Sequence, residues 1–162
     1  MAIHKLDFGE FDEIDYHLIA IHTSLEDYRL AFFINQKLPI NLSKNKNEIQ
    51  INIKEGETKF SSFYYHDVKK AMSWNLVQNK NEVIQQKNDN SQNLFSNISL
   101  EVSTKVYLLP EFKKVDYFLK IENMEDTMKV EEIQAILNTI QSISVVYTVE
   151  TNKIKAKNNL IF

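Results

Sequence analysis

The chain has 162 residues, 25% of them charged, a formal net charge of −3 and no cysteine. That length suits one domain able to bury roughly two thirds of its unfolded surface, and the lack of cysteine excludes a disulfide framework, a thiolate metal site and a cysteine nucleophile. With only Gly9 and Gly56 as glycines, the Gly-rich phosphate cradles of P-loop and dinucleotide-binding folds are excluded, and the mildly acidic balance disfavours a dedicated nucleic-acid binder.

Residues 1–13 are acidic and weakly patterned, and are expected to form an N-terminal arm. They lack the apolar core of a signal peptide, and no run approaches the roughly 18 apolar residues of a membrane span. A soluble, cytoplasmic protein with no membrane contact is the expectation. From Ile14 to His22, Tyr16, Leu18 and Ala20 alternate with His17, Ile19 and Ile21. Apolar residues at both parities predict a central strand buried on both faces. Ser24 and Asp27 resemble a capping box opening a helix that Pro39 ends, with Tyr28, Ala31, Ile34 and Leu38 near one another and Leu30 and Phe33 widening the stripe. A strand over Arg29–Ile34 is the alternative.

Ile49, Ile51 and Ile53 alternate with polar residues as a half-buried strand, and Gly56 marks the turn that follows. Phe60–Tyr65 and Ser73–Asn79 predict two further strands. Residues 80–97, KNEVIQQKNDNSQNLFSN, are rich in Asn, Gln and Lys and predict a long mobile loop.

The stretch Tyr107–Asn123 predicts an antiparallel hairpin. A four-residue loop from Glu111 to Lys114 puts Val106, Leu108, Pro110 and Phe112 on one apolar face with Val115, Tyr117, Leu119 and Ile121. Within it, Leu109-Pro110-Glu111 and Val115-Asp116-Tyr117 at this spacing resemble the signature of the bacterial IPExxxVDY family, with leucine where the family name has isoleucine. The ending Lys155–Phe162 is similar to how members of that family finish. The resemblance implies no activity, since none is established for the family.

Further on, Asp126 or Thr127 is placed to cap a helix whose Ile133, Ile136, Leu137 and Ile140 form one stripe, with Glu131 and Glu132 in its first turn. Val145, Tyr147 and Val149 then alternate as a strand. Strand, helix and strand in that order predict a βαβ-like unit. The fold class expected is α+β, one domain over residues 1–162, with a mostly antiparallel sheet, two main helices on one of its faces, and residues 152–162 as a C-terminal tail.

No residue constellation demands catalysis, a cofactor or a metal. Glu111 and Asp116 flank one turn and are candidates to pair as acid and base, but Lys113 and Lys114 between them equally suit a solvated sheet end. His17 and His22 fall on opposite faces of one strand, which spoils them as a ligand pair. Phe60, Phe63, Tyr64, Tyr65 and Trp74 with nearby lysines form a candidate single-strand RNA platform, although such aromatics are more often core.

The expected function is a non-enzymatic interaction or structural module that self-associates or binds a protein partner. Its candidate contacts are Leu109 and Phe118 on a sheet face without helices, Phe63, Tyr65 and Trp74, and the tail residues Leu160, Ile161 and Phe162. The alternatives are a small-molecule binder or enzyme with a site near Glu111, Asp116 and Tyr117, and RNA binding.

Overall fold

A computed structural model describes residues 16–88 and 99–162. The fold is α+β. The described elements are β1 (Tyr16–Thr23), α1 (Asp27–Lys37), β2 (Ser43–Lys44), β3 (Ile49–Ile53), β4 (Gly56–Phe60), β5 (Ser62–Asp67), β6 (Met72–Gln78), β7 (Lys80–Asn88), β8 (Ser99–Tyr107), β9 (Tyr117–Glu122), α2 (Val130–Asn138) and β10 (Ile143–Val149). Six strands form an antiparallel sheet in the order β10-β1-β9-β6-β5-β2, while β3–β4 and β7–β8 are separate hairpins. Because β9 and β10 both run antiparallel to β1, they are parallel to each other, and β9–α2–β10 is a βαβ unit split by β1.

The apolar parity of the central strands sorts the core into two layers. Ile19 and Ile21 of β1, Trp74 and Leu76 of β6, and Leu119 and Ile121 of β9 face Leu30, Ala31 and Ile34 of α1 and Ile133 and Leu137 of α2. Both helices therefore cover one face. The opposite parity (Leu18, Ala20, Val77 and Phe118) meets Phe60, Val83, Leu108, Leu109, Val115, Ile154 and Leu160. Among the described residues that second face is roofed without an α-helix, by the two hairpins, the connection before β9 and the segment 152–162. Gly56 turns β3 into β4 at φ +136°, a conformation side chains rarely adopt.

Several expectations need correction. The hairpin centred on Lys113 and Lys114 does not form: β8 pairs with β7, and β9 pairs with β1 and β6. Between β8 and β9 the chain makes a 3₁₀ turn, Pro110–Phe112, which the fixed φ of Pro110 favours at its start. Val115, Tyr117, Leu119 and Ile121 are buried as expected, but Val115 packs in the roof while the other three face the helices. Local alternation registers burial and leaves the partner strand open, so two strands adjacent in sequence pass each other by.

Residues 80–88 are strand β7 rather than loop; the rest of the expected loop, 89–97, and the arm 1–13 lie outside the described residues. Polar composition misleads there because a projecting two-stranded ribbon is largely solvated. The expected caps are not used: α1 begins after Glu26 and α2 after Lys129, neither with a side-chain cap, and Tyr28 is exposed. On β10, Val146 faces the helices because it lies opposite Ile21 in the unbroken part of the ladder, while Tyr147 and Val149 lie on the other face; the slip between His22 and Thr23 comes after these pairs and brings Ile143 to the helix face as well.

Candidate functional site

The sheet register brings Ile21, Tyr117 and Gln78 into one row across β1, β9 and β6. Asp116 extends the row outward: its N–H donates to the Ile21 carbonyl (3.1 Å), and its own carbonyl accepts from the Asn79 N–H (2.9 Å). Just past that row the chain leaves the sheet at Thr23 on one side and Lys80 on the other. A cleft of about 470 Å³ opens there, walled by Thr23–Asp27 on the β1–α1 connection and by Gln78, Lys80, Asp116 and Tyr117.

Every charged or hydroxyl group contributed by the sheet row is held. Asp116 Oδ2 accepts the Thr23 N–H (2.9 Å), and Oδ1 accepts from Lys80 Nζ (2.9 Å), which also donates to the Lys114 carbonyl (3.4 Å). The Tyr117 hydroxyl donates to the Leu25 carbonyl (2.8 Å). Burial, and then the carboxylates of Asp27, Asp116 and Glu26, push the Tyr117 hydroxyl up to about 12. Glu26 and Asp27 lie at the start of α1, where carboxylates also favour the helix dipole.

A second cavity of about 460 Å³ shares Gln78 and Lys80 with the first and continues along the base of the β7–β8 hairpin, lined by Asn81, Glu82, Lys105 and Tyr107. Lys113 stands over the Tyr107 ring, 5.9 Å from its centre. Lys80 thus sits on the wall common to both cavities.

Of the residues singled out in the sequence, the fold brings Asp116 and Tyr117 to this cleft and sends Glu111 elsewhere. Glu111 Oε1 accepts the N–H groups of Lys155 and Ala156 (2.7 and 3.0 Å), tying down the segment 152–162. Its carboxyl is raised by desolvation, but the N–H groups of Ala156, of Glu111 itself and of Lys155, with the Lys155 charge, leave it below the usual carboxylate range. Glu111 and Asp116 therefore hold different segments and are not an acid–base pair.

Leu109 and Val115 are core, and Pro110 starts the turn between them. The candidate contacts Leu109, Phe118, Phe63, Trp74 and Leu160 are all buried, which removes them as a surface, and Tyr65 is half-buried. The RNA platform is dismantled for the same reason, since Phe60, Phe63 and Trp74 fill the core. Ile161 and Phe162 remain exposed, at 71% and 48%.

Three residues that matter here were not singled out in the sequence. Asn79 is fully buried; its Nδ2 donates to the carbonyls of Phe112 (2.9 Å) and Val115 (2.8 Å), and its Oδ1 accepts the Leu109 N–H (2.9 Å). Lys80 follows it into the cleft. Lys120, 4% exposed on β9, donates to the Leu160 carbonyl (2.8 Å), pairs with Glu122 (2.7 Å) and lies over the rings of Tyr16 and Phe162. A charged residue inside a largely apolar strand was the available signal for Lys120. Asn79 had none beyond its place between two strand patterns.

Among the described residues no group of three or more His, Cys, Asp or Glu side chains is placed to hold a metal, and no helix is long and apolar enough to cross a membrane. His66 Nδ1 is hydrogen-bonded with Ser73 Oγ at 2.9 Å. No protein-family model matches the chain, and neither a search of curated proteins nor one of solved structures yields a match.

Proposed function

We propose that the chain is a non-enzymatic binding module for a small polar ligand, received in the cleft beside Lys80, Asp116 and Tyr117. The observation that carries this reading is the pair of adjoining cavities sharing Lys80 and Gln78 at one end of the sheet. Polar groups converging on a concave surface are the usual form of a ligand site. Binding is favoured over catalysis because Asp116 and Tyr117, the natural acid–base groups of the cleft, are each committed to a hydrogen bond with the β1–α1 connection. Ligand-observed NMR with a library of polar metabolites, on the wild type and on Gln78→Ala, tests it. Binders that lose affinity in the variant support the reading; a library without a single binder at about 1 mM removes it.

Self-association is a second reading, favoured by the exposed Ile161 and Phe162. It loses its original basis, an apolar sheet face without cover, because Leu109 and Phe118 are packed under the roof. Sedimentation across a concentration series tests it: a species that stays monomeric ends it. Membership of the IPExxxVDY family rests on Leu109, Pro110, Glu111, Val115, Asp116 and Tyr117, and residence in the cytoplasm on the cysteine-free composition.

A further inference from the structure

Of the two outer strands of the six-stranded sheet, β2 is two residues long and carries Lys44, while β10 runs for seven, Ile143–Val149, with no charge and no proline. Sheet edges are commonly blunted by shortness, charge or proline, because a bare edge offers its backbone groups to any other strand. The ladder fixes which groups β10 offers. The Ile21 carbonyl is taken on the β9 side, by the Asp116 N–H, so Ile21 turns its backbone groups away from its β10 partner Val146. Alternation then directs the backbone groups of Val145, Tyr147 and Val149 to β1 and those of Ser144, Val146 and Thr148 outward. Gln134 of α2 agrees with that direction: its Nε2 donates to the Val146 carbonyl (3.1 Å), and its Oε1 accepts from Thr148 Oγ1 (3.2 Å). That carboxamide stands where the N–H of a further strand would stand, and among the described residues no strand lies there.

Resting on the self-association reading, we infer that β10 receives the β10 strand of a second copy, antiparallel, about a two-fold axis at Val146, with the Gln134 carboxamide swung aside. The three outward residues are spaced symmetrically about Val146, so one register pairs them all: Val146 with its own equivalent, and Ser144 with Thr148 across the axis. The same register sets Val145, 48% exposed, against Tyr147, whose ring lies 5.7 Å from that of His22. Apolar surface on the face away from the helices is thereby covered. Glu150, the first charge after β10, falls opposite Ser142, so the paired strands bring no like charges together. Both halves of the match come from one strand, which a two-fold axis supplies without any further partner.

The chain has no cysteine, so Ser144→Cys and Thr148→Cys, both at exposed positions, report the register. In the paired dimer their Cα atoms lie about 5.5 Å apart across the axis, within disulfide reach, whereas either variant alone holds its two cysteines out of reach. Mixing the two under mild oxidation is expected to give a cross-linked dimer that neither gives alone. In sedimentation of the full chain, Val145→Lys is expected to weaken dimerisation by about tenfold or more, and Gln134→Ala to tighten it by about fivefold. Neither residue belongs to either core layer, so both variants keep the fold. A wild-type dimer that Val145→Lys leaves intact and that gives no mixed cross-link overturns the β10 pairing; its loss in Phe162→Ser then assigns self-association to the exposed end of the chain. A wild type that stays monomeric up to about 1 mM removes both.

Discussion

The Asn79 Oδ1 atom accepts the N–H of Leu109 at 2.9 Å, a bond between buried groups 30 residues apart in the chain. The two amide hydrogens of the same side chain go to Phe112 and Val115, so one carboxamide satisfies three backbone groups of the connection that leads into β9. Asn79→Ala removes all three bonds at once and orphans the buried Leu109 N–H and Val115 carbonyl, while the Phe112 carbonyl keeps the Val115 N–H. The expected loss is about 2 kcal/mol or more, since each orphaned buried group costs about 1–3 kcal/mol. Asn79→Asp keeps the acceptor, loses both donors and introduces a buried charge, so it is expected to be no better than alanine. Equilibrium denaturation of the two variants checks this, and a loss below about 1 kcal/mol would show that the connection is held by packing alone.

Glu111 fastens the segment 152–162 through two N–H groups, and its carboxyl lies below the usual value of 4.5. A group whose pKa falls on folding contributes stability above its unfolded value, and that contribution drains away as pH drops through the folded value. Glu111→Gln is therefore expected to cost about 1 kcal/mol near neutrality, discounted for partial solvent exposure, and to flatten the acid limb below about pH 4.5. Amide hydrogen exchange at Lys155 and Ala156 should quicken in the variant while β9 stays protected.

The Tyr117 hydroxyl, pushed up to about 12, has the opposite sign. Its contribution is complete below the ordinary tyrosine value of 10.0 and is lost as pH rises through about 12. Burial also raises the hydroxyls of Tyr16 and Tyr147, so ultraviolet titration of tyrosinate is expected to spread above the ordinary value, with the component at about 12 absent in Tyr117→Phe. That variant also leaves the Leu25 carbonyl without its donor, at a cost of about 1–2 kcal/mol.

Ala71 sits at φ +53°, in the left-handed region, in the turn between β5 and β6. A side chain there costs about 1–2 kcal/mol, partly offset in a glycine by greater freedom of the unfolded chain. Ala71→Gly is expected to raise the denaturation midpoint by a net amount of about 0.5 kcal/mol. Asn123, at φ +55°, donates from Nδ2 to the Ala71 carbonyl (3.3 Å), so Asn123→Ala is expected to move the midpoint the other way.

Strand positions were legible in the sequence wherever burial and parity coincide: β1, β3, β5, β6 and β9 carry their own apolar signature. Pairing was not legible, since Tyr117, Leu119 and Ile121 look the same whether their neighbour is β8 or β1. The cleft was half legible. Asp116 and Tyr117 stood out as residues of one motif, whereas Lys80 lay inside a run whose Asn and Gln content resembles a loop. Glu111 and Asp116 stand five residues apart in sequence, yet the turn at Pro110–Phe112 sends Glu111 to the N–H groups of Lys155 and Ala156 and Asp116 to Thr23, a divergence that spacing alone does not reveal.

The position of β1 between β9 and β10 also constrains how the molecule is made. The Thr23 hydroxyl donates to the carbonyl of Ser142, 119 residues later in the chain, and both flanking strands of β1 are translated after most of the rest. During synthesis at roughly 5–20 residues per second, an apolar segment waits several seconds for its neighbours, exposed to chaperones and to self-adhesion. Such long-range closure places refolding of the full chain toward the slow end, on the order of milliseconds to seconds.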